Sequence, residues 1–205
     1  MKKGTNILIN IVLFAAVVLL AMQVIKSIQA PIKFNNEQKA RESKVVERLI
    51  DIRNAEVLYK NLNNKYTASF DTLIAFCQTA EIPVVNIIPD PTDTTFTRTI
   101  NDTIDFIKVM DSLAGKREHF NINELNLVPF SNPQQKFELE AGVIKRNGID
   151  IPVFEARTPY EVYLNGLDEQ RILNAKAEKE SINRYAGMKV GSMEEASTDG
   201  NWEKL

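Results

Sequence analysis

The feature that most constrains this chain is an uncharged apolar run near its N-terminus. Residues 7–25 carry no charged side chain, and Asn10 and Gln23 are their strongly polar members. At about 1.5 Å per residue, a helix of this length spans close to the hydrocarbon core of a bilayer. A helix also satisfies its own backbone hydrogen bonds in lipid. We therefore predict a short cytoplasmic tail at residues 1–6 and a transmembrane helix at residues 7–28.

A cleaved signal peptide is the alternative interpretation of the same run. Lys2 and Lys3 supply the basic start that a signal peptide needs, but the apolar region is long. Cleavage after Ala30 would leave Pro31 directly behind the cut and Ile28 where a small residue is preferred. The sequence favours an uncleaved anchor, with a secreted soluble domain as the alternative.

The charges that flank the span bear on its orientation. Lys2 and Lys3 favour a cytoplasmic N-terminus, whereas Lys26 and Lys33 follow the span and a bare count of basic residues favours the reverse. A tail this short usually stays inside while the long part of the chain is translocated. We expect a single-pass protein of the inner membrane with a periplasmic C-terminal domain. Asn10 is a candidate for a helix–helix contact in lipid, and tolerance near the interface is its alternative role.

An amphipathic helix is predicted at residues 31–62, which contain no proline after Pro31 and no glycine. Its apolar side chains recur at spacings of three and four: Val45, Leu49, Ile52, Ala55, Tyr59 and Leu62. They either pack on the chain's own domain or form a coiled coil with a partner. Arg48 would fall on the coiled-coil seam, and the run lasts under three heptads. Packing on the domain is therefore the favoured role of Val45, Leu49, Ile52 and Tyr59.

The amphipathic helix is predicted to end at a corner. Residues 61–64 are rich in asparagine, which tolerates the left-handed conformation of a helix terminus. Ser69 can cap a second helix that buries Phe70, Leu73 and Cys77. Cys77 is the single cysteine of the chain, and its apolar neighbours predict a buried filler.

This N-terminal third resembles type IV pilins and type II secretion pseudopilins. The likeness rests on a basic leader at residues 1–4, the apolar span, the continuing helix and the corner Asn63-Asn64-Lys65-Tyr66. In that family a glycine precedes the mature N-terminus, and a carboxylate lies five residues further on. Here Thr5 follows Gly4, and no carboxylate occupies the corresponding position. The resemblance implies an anchored subunit of a cell-envelope assembly.

The middle of the chain predicts short elements. Residues 81–91 suit a strand that ends in a turn at residues 89–93, and residues 96–100 are rich in β-formers. The apolar spacing over residues 103–113 predicts a helix.

Asn147-Gly148 predicts a β-hairpin between residues 136–146 and 149–157, because both turn positions need positive φ. The turn pairs Arg146 with Ile149 and makes the strand an edge at Pro152. The predicted buried face contains five side chains: Phe137, Leu139, Ala141, Val143 and Phe154.

The opposite hairpin face carries Glu138, Glu140 and Glu155. Paired carboxylates can bind a cation or transfer protons. The alternative is a solvated face neutralised by Arg157 and Lys136. No histidine or glycine-rich loop accompanies the carboxylates, so the solvated face is favoured. We predict no catalytic residue, no metal site and no cofactor, and a protein that is not an enzyme.

The C-terminal part predicts a helix capped by Asp168 and stopped by Gly187, then a short strand at residues 188–191. The inward side chains are predicted to be Ile172, Leu173, Ala175 and Ile182. Trp202 either anchors the tail in a groove of the domain or contacts a partner, and docking within the chain is favoured.

The predicted fold class is α+β. A transmembrane helix continues into a long amphipathic helix that packs on a small antiparallel sheet with a hairpin, and a C-terminal helix follows within a domain at residues 63–205. A net charge of −2 and the lack of a basic stripe exclude nucleic acid as a partner. The expected partners are membrane lipid, other envelope proteins and further copies of the chain. The runner-up function is a membrane-tethered enzyme or cation-binding domain that uses Glu138, Glu140 and Glu155.

Overall fold

The computed structural model of the chain describes residues 2–89, 99–115, 117 and 120–203. The α+β class is confirmed, with a long N-terminal helix, two small antiparallel sheets and a C-terminal helix. The elements in chain order are α1 (Lys2–Asn63), α2 (Phe70–Thr79), β1 (Glu81–Pro89), β2 (Thr99–Lys108), α3 (Val109–Ala114), a 3-10 turn (Ile122–Glu124), β3 (Glu138–Arg146), β4 (Ile149–Pro159), α4 (Tyr160–Tyr163), α5 (Glu169–Ser181) and β5 (Gly187–Gly191).

Helix α1 runs without interruption from the predicted span into the domain. Pro31 lies inside it, although proline removes one backbone hydrogen bond of a helix. Phe34 is the first core residue of α1. Val45, Leu49, Ile52 and Ala55 follow as fully buried side chains of the same face. The second half of α1 is therefore a core helix of the domain, and Leu62 beyond it is exposed.

The corner after α1 has the predicted geometry. Asn64 takes a positive φ of 56°, and its N–H donates to the carbonyl of Lys60 at 2.7 Å. The Ser69 hydroxyl accepts the N–H of Thr72 at 3.4 Å and so caps α2. Cys77 is buried on α2. Local side-chain chemistry thus sets how the chain turns back onto α1.

Strands β1 and β2 form a two-stranded antiparallel ribbon. The helix predicted over residues 103–113 is confirmed from Val109, where α3 begins, but was wrong over residues 103–108, because β2 continues to Lys108. Cross-strand pairing overrides the helical spacing here: Ile82 lies opposite Ile107, and Ile88 opposite Ile100. The turn predicted at residues 89–93 and the start of the β-rich stretch at residues 96–98 lie outside the described residues, apart from Pro89.

Strands β3, β4 and β5 form the second sheet, with β4 in the centre. The hairpin register is confirmed from Glu138 opposite Arg157 to Arg146 opposite Ile149. Strand β5 pairs only with the second half of β4, so β4 is an edge at Pro152, as predicted. Val143 was wrongly predicted to be buried. It is 62% exposed because the tip of the hairpin extends beyond the core.

The C-terminal helix α5 is capped as predicted, since Asp168 Oδ1 accepts the N–H of Arg171 at 3.1 Å. Ile172 is buried, but Leu173 and Ile182 are exposed, so their predicted inward positions were wrong. The helix stops at Ser181, well before Gly187, which begins β5 instead. Ile172 is the buried residue of α5 and Ala175 is partly buried, so the inward face of this helix is narrow.

Candidate functional site

One helix of the described chain is long and apolar enough to cross a membrane. Its most apolar stretch has a mean hydropathy of 2.4, and none of that stretch is buried against the domain. Exposed apolar side chains continue to the end of the predicted span at Ile28 and beyond it to Ile32. The backbone at Asn10 is helical, and its side chain lies outside the description. The chain thus has a candidate single-pass anchor near its N-terminus.

The structure places the predicted packing residues of α1 inside this chain. Val45, Leu49 and Ile52 are fully buried in the domain core. Tyr59 meets the ring of Phe76 edge-on, with 5.0 Å between ring centroids. Trp202 packs partly buried at the rim of a groove beside α1. These side chains are therefore occupied by contacts within one copy of the chain.

Arg157 joins the three carboxylates that were predicted to share the outer hairpin face. Its guanidinium donates to Glu138 at 2.7 Å, to Glu140 at 2.7 Å and to Glu155 at 3.1 Å. Lys189 adds a bond to Glu155 at 2.9 Å. Hydrogen bonding, foremost to Glu138, raises the pKa of the Arg157 guanidinium. All three carboxylates are thus paired with Arg157 or Lys189. This arrangement is typical of a surface ion-pair network in which the basic side chains offset the negative charges.

The residues described in the structure contain no group of three or more histidine, cysteine or acidic side chains arranged to hold a metal ion. The carboxylates nearest to such a group are those around Arg157, where the guanidinium occupies the centre that a cation would need. A cation would have to displace this side chain, which makes bonds of ordinary length to three partners. The geometry therefore gives the cation-binding alternative no vacant position.

A buried carboxyl on α1 was missed at the sequence level. Glu56 is fully buried, its Oε2 accepts the backbone N–H of Thr67 at 3.1 Å, and its Oε1 has no partner among the described residues. Burial raises its pKa to about 8, and the Thr67 bond opposes that rise. Glu56 lies four residues after Ile52 on the apolar stripe, which was the available signal.

Cys77 and Tyr66 lie in the same buried region as Glu56. Burial, with a smaller effect from the charge of Glu56, raises the pKa of the Cys77 thiol to about 12. The same two causes raise the pKa of Tyr66. A thiol with such a pKa stays protonated and is a poor nucleophile at neutral pH. This cluster is therefore a structural interior whose one unusual member is Glu56.

An open groove of about 780 Å³ lies between the first domain-contacting turns of α1 and the last turns of α5. Phe34 and Asn35 line it from α1, and Lys179 and Arg184 line it at the end of α5. Trp202 forms part of its wall. The groove thus brings the turns of α1 that follow the candidate span together with the C-terminal part of the chain.

The ribbon formed by β1 and β2 exposes a set of large apolar side chains. Their exposed fractions run from 37% at Ile88 to 63% at Ile104. The set consists of Val85, Ile88, Ile100, Ile104, Phe106 and Ile107. A two-stranded ribbon is marginal in water without packing on at least one face. This exposed apolar set is the strongest candidate for an interaction surface among the described residues of the domain.

The edges of the same ribbon are poorly suited to strand addition. Pro83 and Pro89 leave β1 without two N–H donors. On β2, the N–H of Phe106 already donates to the Asp105 carboxylate at 2.8 Å. A register shift between Val84 and Val85 further breaks the regular ladder. The faces of the ribbon, and not its edges, therefore form the candidate contact surface.

Comparison with protein-family models, curated protein sequences and solved structures finds no match for this chain.

Proposed function

We propose that this chain is a membrane-anchored, non-enzymatic subunit of a cell-envelope assembly that acts through protein–protein contacts. Helix α1 would hold the chain in the inner membrane, with its domain on the periplasmic side. The exposed apolar set on the β1–β2 ribbon is the observation that carries the proposal, because such a surface is stabilised when a partner covers it. The resemblance to pilins and pseudopilins supports the same class of function.

The core packing of α1 adds a second line of support. Val45, Leu49 and Ile52 are buried within the chain, so they are not free to form a coiled coil. We therefore assign the partner contact to the β1–β2 ribbon. The ribbon exposes several large apolar side chains, and its sequence carries three carboxylates, Glu81, Asp102 and Asp105. We expect a partner with a complementary apolar surface, either another envelope protein or a further copy of this chain.

A photo-crosslinking experiment in intact cells tests this proposal. A photoreactive amino acid is placed at Ile104 or Phe106 in the full chain, and at Lys145 on the hairpin tip as an exposed control. We expect discrete crosslinked products from the ribbon positions alone. Equal or absent crosslinking at all three positions would contradict the proposal.

A pair of matched variants then links the contact to assembly. Phe106→Asp places a charge on the ribbon face, and Val143→Asp places one at an equally exposed apolar site outside the ribbon. We expect Phe106→Asp to leave the chain monomeric on native gels of solubilised membranes, while Val143→Asp assembles as the unaltered chain does. Folding of both variants is checked by circular dichroism.

A further inference from the structure

The groove between α1 and α5 lies at the height of the membrane surface if α1 spans the bilayer. Exposed isoleucines at positions 25, 28 and 32 follow one face of α1 toward the domain. From Ile28 to Phe34, where the groove begins, the helix rises by about 9 Å. The polar layer of a bilayer extends roughly 5–8 Å beyond its hydrocarbon core on each side. The lower rim of the groove therefore borders the lipid headgroups.

The charges that line the groove suit an anionic ligand. Four cationic side chains and two carboxylates line the groove. The cations are Arg171, Lys179, Arg184 and Lys189, and the carboxylates are Glu42 and Glu178. Lys189 is bound to Glu155 at 2.9 Å, and Arg171 lies 3.7 Å from Asp168. Across the described ranges, Lys179 and Arg184 form no ion pair. These two cations are therefore available to a ligand.

The remaining walls of the groove match the chemistry of a membrane interface. Tyr185 and Trp202 present aromatic rings with a polar atom, the type of side chain that is enriched at headgroup level. The Gln38 side-chain amide donates a hydrogen bond of 2.8 Å to Glu42, the carboxylate of α1 that lines the groove, and so restrains it. A volume of about 780 Å³ is ample for a glycerophosphate headgroup.

We infer that this groove binds the headgroup of an anionic phospholipid from the bilayer that holds α1, with Lys179 and Arg184 contacting the phosphate. The inference rests on the proposed membrane anchoring. Binding would restrict rotation of the whole chain about the axis of α1 in the bilayer, because the headgroup would hold the domain at a second point away from that axis. Each basic residue near a bilayer surface adds appreciably to attraction for anionic lipid.

Trp202 is the only tryptophan of the chain and reports on the groove directly. The full chain is inserted into nanodiscs, and its fluorescence is titrated with an anionic phospholipid that carries a headgroup spin label. We expect saturable quenching that a matched zwitterionic labelled lipid does not produce. The Lys179→Glu/Arg184→Glu variant is expected to weaken the interaction roughly tenfold or more.

Two controls make the result decisive. The Lys145→Glu/Arg146→Glu variant removes the same number of cations at the hairpin tip and is expected to leave quenching unchanged. Inorganic phosphate distinguishes a free anion from a lipid. If phosphate at similar concentration abolishes quenching, the groove takes a soluble anion and the lipid assignment is overturned.

This experiment can contradict the proposed anchor and the proposed lipid site separately. A chain that inserts into nanodiscs but shows equal quenching by anionic and zwitterionic lipids overturns the groove assignment and leaves the anchor intact. A chain that does not insert at all overturns both. Equal quenching in the Lys179→Glu/Arg184→Glu variant and the unaltered chain also overturns the assignment.

Discussion

Glu56 on helix α1 accepts a hydrogen bond from the backbone N–H of Thr67 at 3.1 Å, in the loop that follows the end of the helix. The carboxyl is fully buried, and its second oxygen has no partner among the described residues. A buried carboxyl is tolerated in this position chiefly in its neutral form, since burial penalises the charge. The hydrogen bond therefore joins helix α1 to the loop that follows it through the carboxyl of Glu56, a group that can gain or lose a proton.

The stability of the chain is expected to fall as the pH rises from about 4.5 to about 8. The pKa of Glu56 is raised from 4.5 to about 8 in the folded state, so the folded chain holds a proton that the unfolded chain releases above pH 4.5. The stabilisation is complete below pH 4.5, falls as the pH rises towards 8, and is fully lost above that, at a cost on the order of 5 kcal/mol. Glu56→Gln should remove this pH dependence, as measured by denaturant unfolding of the full chain in detergent.

An exposed glutamate supplies the control for that measurement. Glu194→Gln changes the same functional group at the surface and should keep the pH profile of the unaltered chain. Parallel profiles for the Glu56→Gln variant and the unaltered chain would show that Glu56 is not the titrating group.

Cys77 is expected to resist alkylation in the folded chain. Its thiol is fully buried, and burial raises its pKa to about 12, so the thiolate is scarce at pH 8. Iodoacetamide should therefore label the chain in denaturant but not under native conditions, as read by intact mass. Rapid labelling of the native chain at pH 8 would contradict the burial of Cys77.

Arg117 is expected to stabilise the fold through Asp51. The guanidinium binds both oxygens of this buried carboxylate, at 2.9 Å and 2.8 Å. Arg117→Met would leave Asp51 unpaired and should cost about 2 kcal/mol of unfolding free energy. Lys44→Met breaks an exposed pair with Glu47 and should cost less than about 0.5 kcal/mol. Equal losses in the two variants would refute the assigned difference.

Replacing Glu155 should destabilise the fold more than replacing Glu140, and neither replacement should affect function. Glu155 is buried beneath Arg157 and Lys189, whereas Glu140 is exposed. Glu155→Ala should therefore lower the unfolding free energy more than Glu140→Ala does. Neither variant should impair assembly once it is folded. Loss of cellular function in a well-folded Glu140→Ala variant would favour the tethered enzyme.

The mature N-terminus tests the anchor. We expect the intact chain, with residues 1–30 retained, to stay with the membrane after carbonate extraction. Intact mass spectrometry identifies the first residue. A start at Pro31 would favour the secreted domain, whereas a start at Thr5 would favour processing of the pseudopilin kind.

The elements that the sequence predicted well are those governed by local chemistry. The hairpin register followed from Asn147 and Gly148, which adopt φ angles of 54° and 80°. The helix caps at Ser69 and Asp168 followed from their side-chain oxygens. Each of these features is decided within a few residues, so periodicity and turn preference were sufficient.

The elements that the sequence missed depend on distant contacts. Residues 103–108 of β2 were predicted as a helix because their pairing with β1 lies outside any local window. Val143 and Leu173 are apolar at positions of the right period, but the core does not reach them. Glu56 was overlooked because a charged residue on an apolar stripe is normally assigned to the surface. The groove joins α1 to α5 and could not be inferred from either helix alone.

Because α1 is one continuous helix, the predicted span and the domain would move together as one rigid body. From Ile28 to Asn63 the helix extends about 50 Å, and a typical transmembrane tilt of about 20° would displace its far end by roughly 18 Å. Any change in bilayer thickness that alters the tilt would thus swing the whole domain sideways, and with it the apolar ribbon. If α1 spans a bilayer, the position of the ribbon relative to a partner would therefore depend partly on the lipid around the helix.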